Sequence, residues 1–321
     1  MKSAFEKMKY ALAFLLVILA TNFLSAQLVR NQGQDGNIRP DGKGGVIHAA
    51  PPPDAIEASG PTGQAVNLGN GINYNGGPVM RANPVPIYLI WYGNWNGAGS
   101  NTASTRSLIE HFVSVLGGSP YELINTTYGD NTANVSGNVS LGGSTFNTST
   151  KNLTDLGVQS VVASALSSGA LPTNANGLYF VLTSSGVNET SGFCTQYCGF
   201  HTHATLGGVD IKYAFVGNPD RCPSACEAQT TGPNSPAPGV GGADGMVAQI
   251  AFQQNEMLTD PDLNAWFDSS GNENSGKCSF KFSVTQSCGT GCTYNVVLGG
   301  NEWLLPENWI NANGGRCGLH L

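Results

Sequence analysis

The stretch Pro84–Trp95, PVPIYLIWYGNW, decides the fold. Read as a strand, it sets Ile87, Leu89 and Trp91 on one face and Tyr88, Ile90 and Tyr92 on the other. A strand apolar on both faces has to be covered on both, as in the centre of a layered α/β sheet. The neighbouring segments supply the cover. Thr102 to Ser104 offer N-caps, and Leu108, Ile109, Phe112, Val113 and Leu116 follow at helical spacing until Gly117-Gly118 ends the helix.

Further along, NVSGNVSLGGSTFN (134–147) reads as a hairpin, because Gly142-Gly143 interrupts two alternating runs. A second helix, capped at Thr154 or Asp155, turns Val158, Val161, Val162, Ala165 and Leu166 inward and stops at Gly169. Two β-rich runs follow, GLYFVLTS (177–184) and VDIKYAFVG (209–217), with the first cysteine pair between them. The last helix starts near Asp244 and uses Met246, Val247, Ile250, Ala251, Met257 and Leu258, so that 251–273 reads as the end of an amphipathic helix running into a polar loop. The expected architecture is a single α/β domain, a mixed sheet flanked by helices, with a disulfide-stapled C-terminal part.

The chain ahead of this domain carries an address. Lys2, Lys7 and Lys9, opposed only by Glu6, precede the apolar run Ala11 to Ala20 and the small residues Leu24-Ser25-Ala26, the order of a secretory signal peptide cleaved near Ala26. No later stretch approaches the length of apolar chain a membrane span needs. Residues 27–73 are rich in Gly, Pro, Asn and Asp and read as a loose leader, leaving 74–321 as the domain. Export fits the rest of the composition, with 11% charged residues and 43 glycines. The sequons at Asn125, Asn134, Asn138, Asn147, Asn152 and Asn188 are candidate glycosylation sites. An even set of 8 cysteines, Cys194, Cys198, Cys222, Cys226, Cys278, Cys288, Cys292 and Cys317, is expected to pair as disulfides, in a connectivity that sequence leaves open. A net charge of -7 without a Lys/Arg run excludes nucleic acid as a partner.

The chemistry turns on AFQQNEMLTDPDLNAWFDSSGNE, Ala251–Glu273. A zinc hydrolase needs ligands at i and i+4 of one helix face and a Glu at i+1 to take a proton from the metal-bound water. Those positions hold Phe252, Glu256 and Gln253, and only Glu256 can still coordinate. His201 and His203, two residues apart and so on one side of an extended chain, and Asp260 and Asp262 could add donors to a remodelled metal site, calcium bound by Asp and Glu being one such site. The competing expectation is that Glu256 and Asp260 cap the helix end while the histidines hydrogen-bond in a cysteine-stapled loop, with no cofactor. His111 reads as a structural residue of its helix. GTGC (289–292) lacks the strand-to-helix setting of a phosphate loop, GGSPYE (117–122) does not fit a nucleophile elbow, and no carboxylate pair is marked for glycoside cleavage. Trp91, Tyr92 and Trp95 are candidates for stacking on sugar rings, against the commoner role of core and rim residues.

YNGGPVM (74–80), IYLIWYGNW (87–95), FCTQYCGFHTH (193–203), YAFVGNPDRCPSAC (213–226), GADGMVAQIA (242–251) and WLLPENW (303–309), with the closing Cys317, together resemble the EXORDIUM family, also called phosphate-induced proteins, over about residues 74 to 321. The resemblance implies a secreted protein of the plant cell wall and apoplast, linked to cell expansion and growth signalling and without established catalytic activity. A cell-wall polysaccharide or an extracellular protein is the partner it implies. The 251–273 stretch departs from the plant pattern and resembles instead distant microbial relatives whose helix reads H-E-x-x-E followed by T-D-P, which look like metallopeptidase scaffolds. A zincin-like fold would suit the order of elements, by analogy alone. A zincin-like metallohydrolase with altered ligands is therefore the alternative to a non-catalytic protein.

Overall fold

The computed structural model describes residues 69–227, 233–234, 241–278, 281–282, 285–290 and 292–321. The expected signal peptide, and the expected leader up to residue 68, lie outside the described residues.

The quoted stretch is the second strand of a five-stranded sheet. In chain order its strands are β1 (Val85–Tyr92), β2 (Val139–Asn147), β3 (Leu178–Thr183), β4 (Gly199–Leu206) and β5 (Val209–Val216), arranged β2-β1-β3-β5-β4. The first four in that arrangement run parallel, and β4 closes the edge antiparallel to β5. As the two-sided pattern requires, Ile87, Leu89 and Trp91 enter one core with Phe180, Leu182, Ala214 and Val216, while Tyr88, Ile90 and Tyr92 enter a second with Tyr179, Val181 and Phe215.

Helix α1 (Ala103–Leu116), capped by the Thr102 side chain, covers the first core through Ile109, Phe112, Val113 and Leu116. Helix α2 (Asp155–Ser167), capped by Thr154, covers the second through Val158, Val161, Val162 and Ala165. Helix α3 (Gly242–Thr259) joins α1 on the first face. Among the described residues no helix is long and apolar enough to cross a membrane.

The structure corrects the sequence reading in three places. The expected hairpin at 134–147 is one edge strand. Its glycine pair makes a bulge, where the register passes from Ile87↔Leu141 to Tyr88↔Gly143, and a Cβ on Gly142 would stand 2.7 Å from the Tyr88 ring. The segment after the first cysteine pair forms strand β4, which places His201 and His203 on the α3 face opposite Ala214 and Lys212. Helix α3 is not amphipathic, since all its residues are buried.

The chain beyond α3 is a set of short two-stranded ribbons, Val296–Leu298 with Asn301–Trp303 and Asn308–Ile310 with Arg316–Gly318 among them. Trp303 packs its ring 5.1 Å from Phe112 of α1, so the tail closes the first core. The cysteines pair as Cys194–Cys222, Cys198–Cys226, Cys278–Cys317 and Cys288–Cys292. The first two bridges clamp the loop before β4 to the turn after β5, and each such link contributes about 2–4 kcal/mol by restricting the unfolded chain.

Candidate functional site

A helix buried all round has to satisfy its polar side chains inside the protein. Gln249, Gln253, Glu256 and Asp260 recur at the spacing of one helix face, and each is at most 1% exposed. This stripe lies over the Gly199, His201 side of β4. Gly199 permits the approach, because a Cβ there would stand 3.2 Å from Gln249 Oε1 and 2.8 Å from the Phe215 carbonyl oxygen.

His201 is the centre of the arrangement and is fully buried. Its Nδ1 lies 3.2 Å from Gln253 Oε1 and 3.6 Å from Glu256 Oε2, and its Nε2 lies 3.4 Å from Glu273 Oε2. One donor atom from each of His201, Glu256 and Glu273 falls within 4.8 Å of the other two. The second oxygen of Glu256 accepts from the Gly276 N–H at 2.9 Å, which ties α3 to the loop carrying Glu273. Asp260 accepts from the Asn264 and Ala265 N–H groups and interacts with Glu273 and His201. Burial nonetheless holds its carboxyl above the ordinary range.

Of the metal candidates, the structure brings His201, Glu256 and Asp260 together and sends the remaining two residues elsewhere. His203 and Asp262 belong to a half-exposed ion network with Asp210 and Lys212, in which His203 Nδ1 is 2.9 Å and Lys212 Nζ 2.7 Å from the Asp210 carboxylate. Burial opposes ionisation of Asp210, but Lys212 and His203 outweigh it and hold the carboxyl low. Glu273 was missed by sequence reasoning, because it lies in a polar loop with no spacing signal toward α3. Phe252 packs with Ala248 and Phe282, and its backbone oxygen accepts from the Ser275 hydroxyl.

A second polar stripe on the same helix meets neutral groups. Gln254 Nε2 donates to Glu122 Oε1 at 3.0 Å, Asn125 Nδ2 donates to the same oxygen at 3.3 Å and to Asn255 Oδ1 at 2.6 Å, and Asn274 Nδ2 donates to Asn125 Oδ1 at 3.1 Å. Burial raises Glu122 to about 8 even against these amide hydrogen bonds.

The same geometry removes several candidates. Trp91, Tyr92 and Trp95 are at most 3% exposed, so they are core residues and no sugar platform. Trp91 and Trp95 pack edge to face at 4.8 Å, and the Trp95 N–H donates to the Tyr92 and Leu182 carbonyls, as strand-end aromatics do when their polar tips find partners inside. Asn125 is fully buried with its amide engaged, which excludes a glycan there in the folded protein. Asn134 and Asn152 are exposed, and Asn138, Asn147 and Asn188 are half-buried. His111 keeps the structural place expected of it, with Nε2 3.1 Å from the Gly299 carbonyl oxygen.

Comparison with known proteins agrees with the motif series. Residues 72–317 match the family model described as the phosphate-induced protein 1 conserved region. Protein EXORDIUM-like 5 of Arabidopsis thaliana is 33% identical over 222 residues, covering 61% of this chain and 59% of its own length. Protein EXORDIUM-like 3 of the same plant is 34% identical over 223 residues, covering 61% of this chain and 64% of its own length. The chain thus spans about three fifths of the length of these curated relatives. No solved structure matches. With the family's conserved region matched over residues 72–317, this chain belongs to the EXORDIUM, or phosphate-induced, protein family.

Proposed function

We propose that the protein works outside the cell as a secreted, non-catalytic member of this family, acting through its surface in growth and cell-expansion signalling at the cell wall. The observation that carries the reading is the identity and burial of two side chains. Where a metallohydrolase helix presents an imidazole and a general base, this helix presents a benzyl ring and an amide, Phe252 and Gln253, both fully buried. Glutamine cannot accept the proton of an attacking water, and the acids that remain are sealed from substrate. Export is supported by the N-terminal charge and apolar order and by four disulfides among the described cysteines.

The competing reading, a metallohydrolase with altered ligands, draws on the convergence of His201, Glu256 and Glu273. Peptidase assay of the secreted protein with added zinc, beside Glu256→Ala, separates the two. No turnover is expected from either protein, and a measurable turnover abolished in the variant would overturn the non-catalytic reading. A polysaccharide contact falls on the exposed edge of the sheet, where Phe146 of β2 is 56% exposed with the Arg106 guanidinium 5.0 Å from its ring centroid. A cell-wall glycan array should show binding that Phe146→Ala weakens and Trp95→Phe does not; equal binding by all three proteins removes this surface from the proposal.

A further inference from the structure

We propose that a cavity where β1 and β3 begin, walled by segment 78–82, the turn before β3, Lys212 of β5 and Pro261 after helix α3, binds a neutral saccharide unit. Its volume of about 440 Å³ is that of a small-molecule site. The proposal deepens the polysaccharide contact described above and rests on that reading for the class of ligand. Its position is separate, since Phe146 pairs with Trp91 toward the other end of the sheet.

Segments far apart in the chain build the cavity, and each is fixed. Segment 78–82 is strapped to the end of α3, with the Met80 N–H donating to the Leu258 carbonyl at 2.9 Å and the Val79 N–H donating to Asp130 at 3.4 Å. The turn before β3 is tied by Asn174, whose Oδ1 accepts from the Asn176 N–H at 2.9 Å and whose own N–H donates to the Tyr179 hydroxyl at 2.9 Å. Pro78, Val79 and Met80, from the YNGGPVM motif, give apolar walls together with Pro261.

The polar groups on the walls are chiefly donors. Lys212 is 7% exposed, and a lysine this buried needs partners. Its ammonium carries three protons, of which Asp210 at 2.7 Å and Asp262 at 3.2 Å account for two. Arg81 meets Asp130 through Nε at 3.4 Å, and its terminal nitrogens form no hydrogen bond among the described residues. The Asn176 side-chain amide forms none there either. Donors set among apolar walls suit a ligand that offers oxygens on an otherwise C–H surface, as a sugar ring does.

Charge selects against an acidic sugar. Arg81 and Lys212 stand beside Asp130, Asp210 and Asp262, so the cavity gains donors without gaining positive charge, in a chain of net charge -7. A sugar carboxylate would be repelled by those acids, whereas hydroxyl oxygens accept from the same donors without that cost.

The test is calorimetric titration of the full secreted chain with short neutral oligosaccharides of glucose, xylose, arabinose or galactose, and with an oligogalacturonide. A neutral sugar should bind at about one site per chain and more tightly than the oligogalacturonide. Ala175→Trp, at an exposed position of the turn, fills the cavity and should abolish binding. Arg81→Met should weaken it about tenfold, the loss of a charge-assisted hydrogen bond. Lys281→Met, which removes an exposed cation elsewhere, should leave it unchanged. No binding of any neutral sugar at millimolar concentration overturns the proposal, as do parental binding by Ala175→Trp and tighter binding of the oligogalacturonide. The glycan array separates this pocket from the surface at Phe146. Binding lost in Phe146→Ala and kept in Ala175→Trp ends the pocket and spares the wall contact, and the reverse ends the Phe146 surface and spares the pocket.

Discussion

Glu122 and Glu256 are both fully buried, and both face helix α3 or belong to it, yet their surroundings differ in kind. Glu122 meets the amides of Asn125 and Gln254, neutral groups that donate to one of its oxygens. Its second oxygen has no partner among the described residues, and its pKa of about 8 keeps a proton on the carboxyl at neutral pH. Glu256 meets an imidazole and shares that imidazole with a second glutamate. A lone acid among amides can stay neutral by keeping its own proton. Acids gathered on one imidazole have an ionisable partner within reach instead, so the neighbours decide which way burial is compensated.

The largest effect should come from breaking the ionic region. Glu256→Leu takes the carboxylate from His201 and the acceptor from the Gly276 N–H and should cost about 3–5 kcal/mol in denaturant unfolding. Glu122→Leu removes a neutral acid, leaves two amide donors unsatisfied and should cost about 1–3 kcal/mol. Equal losses would erase the distinction between the regions.

The next effect sharpens it through pH. Glu122 titrates near 8 when folded against an ordinary 4.5, so between those values the folded state binds the extra proton. Its contribution is fully present below about pH 4.5, declines as pH rises and is gone above about 8. Glu227, raised to about 8 by burial and by sharing a hydrogen bond with Asp220, and Asp244, raised to about 6 by burial, act in the same direction. Unfolding followed from pH 5 to pH 9 should show stability falling with pH. Glu122→Gln should flatten that fall, gaining on the order of 3 kcal/mol over the parent at pH 9, since each tenfold difference in proton affinity between the folded and unfolded chain is worth about 1.4 kcal/mol. An unchanged slope would mean that Glu122 is ionised in the folded chain as it is in the unfolded one.

The smallest effect concerns the amides. Asn125→Ala should cost about 1–2 kcal/mol through the donors and acceptors it leaves unpaired. Glycopeptide mapping of the folded parent protein should find Asn125 bare; a glycan there would mean that the network around Glu122 does not form as described.

Several elements could be read from residues alone because the signal is local. Ile87, Leu89 and Trp91 against Tyr88, Ile90 and Tyr92 placed β1 between two covered faces, and Thr102 and Thr154 marked the helix starts with side chains that do cap them. Other features carry no local signal. Gly142-Gly143 looks the same in a hairpin turn and in a bulge, and only pairing with β1 decides. The polar face of α3 reads as solvent-exposed until a strand, a loop and the C-terminal ribbons are laid over it. Sugar stacking by Trp91 and Trp95 stayed open beside the commoner core role because sequence shows their polar tips but not the carbonyls and the Glu110 carboxylate those tips donate to.

By itself the sequence determined a layered α/β domain, the absence of a zinc-binding imidazole at residue 252, an export-type composition and the family, since each depends on periodicity, on residue identity or on motifs in series. Tertiary structure alone decided that Glu273 joins Glu256 and His201 while His203 leaves for Asp210, that the cysteines pair as four particular bridges, and that Asn125 is closed to modification. The physical reason is that donors are brought within a few ångströms of one another by packing between segments far apart in the chain, and the sequence pattern within any one of those segments does not encode that distance.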